Sequence, residues 1–162
     1  MPTHNRFING PDGKPSPQGL VILGAFFPIE VQVPPQIAEL LTNNGQSVPA
    51  PISGLAMIDT GATMTCVHEP LLQQLGLKPI SVVTSGTANG PAQQSVYGGR
   101  IFFPAQGWTL DLNGIVGVNL GGQIIPVPPA PQPLIALLGR NFLEHFVFIW
   151  NGPGGFWTIS GR

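Results

Sequence analysis

The sequence has 162 residues, enough for one domain and too few for two. Glycine (22) and proline (19) make up about a quarter of it and are scattered through its apolar stretches, which excludes a helical bundle or coiled coil. Only 8% of residues are charged and the net charge is −1; six Lys/Arg supply no basic stripe for nucleic acid, and so much uncharged surface suits a partner subunit. With 43% hydrophobic residues a packed core is still expected. The class that remains is all-β, short strands joined by turns.

In chain order, residues 1–19 are rich in Pro, Gly and Asn and read as a flexible N-terminal segment, with residues 20–162 as the folded domain. Leu20–Val33 is apolar and β-rich and predicts a strand pair ended by Pro34-Pro35. Gln36–Thr42 predicts one or two helical turns closed by Asn43-Asn44-Gly45, and Ile52–Ile58 a strand running straight into Asp59-Thr60-Gly61. Pro70 starts a short helix that Gly76 ends. Ile80–Thr84 and Gln93–Phe103 predict a hairpin around Ser85–Pro91, and Trp108–Leu112 with Ile115–Leu120 a second hairpin turning at Asn113-Gly114. A proline-rich loop spans Gly121–Pro133, Leu134–Leu138 is a fully apolar strand, and Arg140–Glu144 a short helix. Phe146–Trp150 and Phe156–Ser160 are strands joined by Asn151–Gly155.

Cys66 is the only cysteine, so no intrachain disulfide can form. Met1–Gln18 has no apolar run behind its basic residues, and the longest apolar run, Leu20–Ile29, is broken by Pro28. Neither a signal peptide nor a membrane span is expected, and the default location is the cytoplasm.

Among the few acidic residues Asp59 stands apart. It follows Leu55-Ala56-Met57-Ile58, which contains nothing polar, and a carboxylate directly after a buried strand is costly unless its neighbours stabilise it. Gly61 can let backbone N–H groups reach that carboxylate. Asp111, in Thr-Leu-Asp-Leu-Asn-Gly, lacks a following Thr/Ser-Gly and reads as a turn aspartate. Cys66, with His68 and Glu69 nearby, has no second Cys/His pair at ligand spacing and reads as packing, so no metal site is expected. His145 reads as a polar-face or capping residue, and Trp108, Trp150 and Trp157 as core or interface aromatics.

Two segments, Ala56-Met-Ile-Asp-Thr-Gly-Ala62 and Leu137-Leu-Gly-Arg-Asn-Phe-Leu143, together resemble the retropepsin-like (retroviral-type) aspartic proteases, in particular small bacterial members. The intervening elements fall in the family's order over about residues 20–160. The resemblance implies a single-lobe β-barrel with short helices that closes its active site as a homodimer, because the chain carries one Asp-Thr-Gly where the chemistry needs two. It implies an aspartic endopeptidase without cofactor, Asp59 of each subunit sharing a proton and activating water. Thr60 and Gly61, with Gly139 and Arg140, would support the site. Gly61, Ala62 and Thr63 would line the cleft floor, and Thr87, Ala88, Asn89 and Gly90 would belong to a flap closing over an extended polypeptide substrate. Thr63 stands where retroviral members often carry an acidic residue paired with the arginine, so Arg140 needs another partner. The alternative is a catalytically silent protease-like β-domain that binds peptides or a protein partner through the same cleft. A statine-type transition-state mimic separates the two, since it binds only a formed dyad.

Overall fold

The computed structural model describes residues 3–10, 12–87, 90–127 and 130–161. The described elements are β1 (Thr3–Phe7), α1 (Pro17–Leu23), β2 (Phe26–Gln32), α2 (Pro35–Asn43), β3 (Ile52–Ile58), β4 (Thr65–His68), α3 (Glu69–Gln74), β5 (Ser81–Thr87), β6 (Gly90–Phe103), β7 (Trp108–Val118), β8 (Ile124–Ile125), β9 (Gln132–Leu138), α4 (Arg140–Leu143), β10 (Phe146–Asn151) and β11 (Phe156–Gly161). The chain is mostly β, and its helices are all short, as the density of glycine and proline requires. Among the described residues no helix is long and apolar enough to cross a membrane.

Strands β2-β3-β9-β4-β7-β6 pair in that order, and β6 pairs back onto β2 through Glu30↔Phe102, Val31↔Ile101 and Gln32↔Arg100, which closes a six-stranded barrel. This is a single-lobe barrel, as the sequence leads one to expect. A closed barrel leaves no unpaired edge on these strands and buries their inward faces together. Strand β6 is long enough to serve three partners: β5 along Gly90–Val96, β7 along Val96–Phe103, and β2. Its first half therefore leaves the barrel with β5 as a projecting hairpin.

A second sheet, β1-β11-β10, covers one side of the barrel. Trp157 of β11 is fully buried and lies 4.7 Å from the Phe27 ring, which in turn meets Phe103 edge-on at 5.5 Å. Phe142 of α4 stacks on Phe103 at 5.4 Å, so one aromatic cluster joins the terminal sheet, the barrel and the helix that follows β9. Truncating such a buried ring costs about 3–5 kcal/mol.

The structure departs from the sequence expectations at four places. Residues 1–19 contain ordered structure: Thr3–Phe7 pairs with β11 from Thr3↔Ser160 to Phe7↔Phe156, and the Arg6 guanidinium sits 4.2 Å from the Phe26 ring centroid. Composition disfavours order in this segment, but the free edge of β11 supplies backbone partners and the barrel supplies an aromatic face. Leu20–Val33 is not a strand pair. Ser16 Oγ accepts the Gly19 N–H at 2.9 Å, Pro17 opens the first turn, and Gly24 ends the helix at φ 72°, so Leu20–Leu23 is helical.

Asn113-Gly114 is not a turn either. It lies inside the continuous strand β7, whose first half pairs with β6 and whose second half also pairs in parallel with β4. An added Cβ at Gly114 would stand 2.9 Å from Met64 Cε, so the glycine admits a close neighbour and turns no corner. The register between Tyr97↔Ile115 and Gly99↔Leu112 shifts by one residue, and the extra residue lies on β7, where Asn113 and Gly114 together oppose Gly98 as a bulge. Arg100 and Asp111 face each other across β6 and β7 in a bidentate pair at 2.6 and 2.7 Å, and the guanidinium hydrogen bonds hold the Asp111 carboxyl below the usual carboxylate range. Within Gly121–Pro133, expected as a loop, Ile124–Ile125 forms a short strand on β9; Pro128 and Pro129 lie outside the described residues.

Candidate active site

Strand β9 is threaded between β3, which it joins in parallel (Ala56↔Ala136, Met57↔Leu137, Ile58↔Leu138), and β4, which it joins antiparallel (Cys66↔Leu137, Val67↔Ala136). The apolar runs before Asp59 and before Gly139 are thus adjacent central strands, and the polar residues after each emerge at the same end. Asp59 N–H donates to Leu138 O at 3.0 Å, which fixes the place where β3 gives way to the Asp59 loop.

That loop folds back on the carboxylate. Asp59 Oδ1 accepts the Gly61 N–H at 2.9 Å and the Ala62 N–H at 3.3 Å. A Cβ on Gly61 would lie 3.1 Å from the same oxygen, tight enough that the smallest residue suits the position. Half-exposed at the end of an apolar strand, the carboxylate is oriented by backbone donors while it still faces solvent.

The second motif grips the loop from behind. Arg140 Nη1 donates to the carbonyls of Thr60 at 3.1 Å and Gly61 at 3.3 Å, and Nη2 to Thr63 Oγ1 at 2.8 Å. Arg140 N–H donates to Ala62 O at 2.9 Å and Asn141 N–H to Thr63 O at 3.1 Å, so α4 begins as an extension of the Asp59 loop. The partner required by the absence of an acidic residue at 63 is therefore Thr63 itself together with two backbone carbonyls, a use of the guanidinium fork that a lysine could not match.

Beneath these lies a buried polar knot. Thr65 is fully buried, the one buried polar side chain among the described residues; its Oγ1 donates to Asn141 Oδ1 at 2.8 Å and accepts the Gly139 N–H at 3.2 Å. Asn141 Oδ1 also takes the Thr65 N–H at 2.7 Å, while its Nδ2 donates to Gly114 O at 3.0 Å. At Gly139 a Cβ would stand 2.5 Å from the carbonyl carbon of Met64, so only glycine allows the two backbones this close. Gly139 and Arg140 are thus in contact with the loop carrying Asp59, Thr60, Gly61, Ala62 and Thr63; Thr60 itself is exposed beside the carboxylate.

Above the loop is a cleft of about 610 Å³, with Gly61, Ala62 and Thr63 on one wall and Val83–Gly86 of β5 on the other. Met64, in the bend before β4, and Cys66, Gln94, Val116 and Val118, at strand positions, complete it; these lining residues escaped the sequence reading because only the pairing of β4, β6 and β7 brings them together. Their sole sequence signal was alternation. The hairpin expected as a flap is present, with Thr87↔Gly90 as its last described pair, while Ala88 and Asn89 lie outside the described residues. Burial, and secondarily the Asp59 charge, pushes the Cys66 thiol above its ordinary range, and Sγ donates to Met64 O at 3.5 Å. A larger cavity of about 890 Å³, between Gly107–Leu110 and Glu144–Val147, contains none of the motif residues. No group of three or more His, Cys, Asp or Glu side chains able to hold a metal ion occurs among the described residues.

A family model described as aspartyl protease matches residues 41–142, which covers the first motif and all but the last residue of the second. Among solved structures, the simian foamy virus (mac) protease is similar with 22% identity over 72% of this chain and 91% of its own, at a TM-score of 0.39. A retropepsin-like aspartic protease from Rickettsia conorii is similar with 19% identity over 98% of this chain and 91% of its own, at a TM-score of 0.47. No curated protein matches the chain.

Proposed function

The chain belongs to the aspartyl protease family, and from that premise we propose that it is an endopeptidase acting as a homodimer, with Asp59 of each subunit as the catalytic pair. The observation that carries this reading is the Asp59 carboxylate held by the Gly61 and Ala62 N–H groups, in a loop whose Gly61, Ala62 and Thr63 line a cleft together with the β5–β6 hairpin. The sequence contains one Asp-Thr-Gly, so the second carboxylate comes from a second copy, and a two-fold axis brings residue 59 of each chain to its equivalent.

Two such carboxylates in contact share one proton. The ionised one takes a proton from a water as the water oxygen bonds to the peptide carbonyl carbon, and the protonated one gives its proton to the carbonyl oxygen. Collapse of the tetrahedral species breaks the C–N bond, with a proton delivered to the leaving nitrogen and no covalent enzyme intermediate. In this reading Thr60 hydrogen-bonds across the axis, and Gly139 and Arg140 hold the loop through their contacts with it. Gly61, Ala62 and Thr63 face the substrate backbone, and the hairpin ending at Thr87–Gly90 closes over it. Apolar walls at Met64, Val83, Val116 and Val118 favour bulky apolar side chains beside the scissile bond.

Asp59→Asn, nearly isosteric, is expected to abolish cleavage of an unfolded protein substrate without unfolding the enzyme. In mixtures it should poison the wild type, since equal amounts with free exchange leave only about one dimer in four with both carboxylates. Asp111→Asn, which touches only the Arg100 pair, should leave activity intact. Activity against pH should be bell-shaped, with limits belonging to the pair. If Asp59→Asn chains exchange into dimers and wild-type activity does not fall, the two-chain site is wrong.

A further inference from the structure

Helix α1 leaves two large aliphatic side chains in solvent. Leu20 is fully buried, yet Val21 and Ile22, the next two residues, are 73% and 70% exposed. No acidic residue stands in the first turn of α1 and no basic one in its last. Isolated exposed aliphatics are ordinary on protein surfaces, and this pair matters because of where the helix ends.

The helix closes at Gly24, whose N–H returns to Leu20 O at 2.9 Å and whose missing Cβ would lie 3.3 Å from Met57 Sδ. Ala25 O then accepts the Ile58 N–H at 2.8 Å, and Phe26 pairs with Met57. Ala25 thus stands opposite the residue directly before Asp59, and α1 leads into β2 at the end of β3 from which the Asp59 loop emerges. The last turn of α1 therefore lies near the residue that, on the reading above, sits against a two-fold axis. A surface next to such an axis faces either the other chain or the substrate. The cleft walls come from residues 61–64, 66, 83–86, 94, 116 and 118, and α1 contributes to none of them.

We propose that Val21 and Ile22 are buried by a second copy of this chain, so that α1 of each protomer forms part of the interface bringing the two Asp59 carboxylates together. This rests on the homodimeric protease reading. It adds a specific contact surface in a segment whose sequence reads as strand, and it ties the N-terminal region to activity through assembly.

The test is the double variant Val21→Glu/Ile22→Glu, with Ile22→Ala as a milder companion. Glutamate is a good helix former and both sites are exposed, so the subunit fold should survive, as checked by circular dichroism. Sedimentation equilibrium should show the dimer dissociation constant raised by ~100-fold or more for the double variant, as for loss of an apolar interface centre. Specific activity should fall at low enzyme concentration and recover at high concentration with kcat unchanged. Ile22→Ala should shift both in the same direction by less. An unchanged dissociation constant overturns the proposal, and if KM rises alone the pair meets substrate. A wild type fully active where sedimentation shows only monomer would instead refute the two-chain site, whatever the variants do.

Discussion

Replacing Thr65 by valine asks whether the buried knot behind the Asp59 loop holds the two motifs together. The valine side chain nearly matches threonine in shape, so packing in this fully buried position is kept and only the hydroxyl is lost. The Gly139 N–H, which now donates to Thr65 Oγ1 at 3.2 Å, is left without a partner in a dry site, at a cost of about 1–3 kcal/mol. Loss of the bond donated to Asn141 Oδ1 at 2.8 Å costs about 1 kcal/mol more, although Asn141 keeps the Thr65 N–H. The added methyl recovers up to ~1 kcal/mol through apolar burial. The net destabilisation is about 2 kcal/mol, and at 2–4 °C per kcal/mol for a domain of this length the melting temperature should fall by about 4–8 °C. Thermal unfolding followed by circular dichroism measures this, at fixed protein concentration because subunit association raises apparent stability. Thr65→Ser keeps the hydroxyl and should lose less, and a double-mutant cycle with Asn141→Ala should give a coupling of at least ~0.5 kcal/mol. A Thr65→Val protein melting within about 1 °C of wild type would refute the idea that this hydroxyl ties the strands.

The remaining predictions concern the loop itself. Arg140→Lys cannot reach Thr60 O, Gly61 O and Thr63 Oγ1 together, so cleavage should drop ~10-fold or more while stability changes by less than ~1 kcal/mol, the residue being exposed; Thr63→Val, which removes one of the three bonds, should lose less in the same kinetic assay. The Cys66 thiol is held above its ordinary range by burial and then by the Asp59 charge, so its alkylation by iodoacetamide should set in at higher pH than for a free thiol. Removing the charge in Asp59→Asn should move that profile to lower pH, and Asp111→Asn should not; identical profiles would show that Asp59 and Cys66 do not interact.

The placement of Asp59 was legible because it follows from local chemistry. An apolar strand that ends in Asp-Thr-Gly leaves a carboxylate needing backbone donors, and glycine is the residue that lets the chain return to supply them. The short helix opening at Arg140, the strand before it and the hairpin over the cleft were legible for the same reason, since turn residues and alternating patterns act over a few positions. The Ser16-Pro17 start of α1 was legible as well in principle, but Leu20–Phe27 is apolar on every side, and such a run cannot tell helix from strand by period alone.

What the tertiary structure alone decided depends on partners remote in sequence. Arg140 finds Thr63 and two carbonyls, and Asn141 finds Thr65 and Gly114, only because β9 is inserted between β3 and β4. Asn113-Gly114 has every local reason to turn, and it stays inside β7 as a bulge because the pairing of β7 with β6 before it, and with β6 and β4 after it, outweighs a turn preference. Thr3–Phe7 has too little apolar content to fold by itself and becomes a strand because β11 offers it an open edge. The local sequence thus determined which carboxylate is presented and how its loop bends. Strand order determined what braces that loop, because hydrogen bonds between distant segments exist only after the barrel has closed.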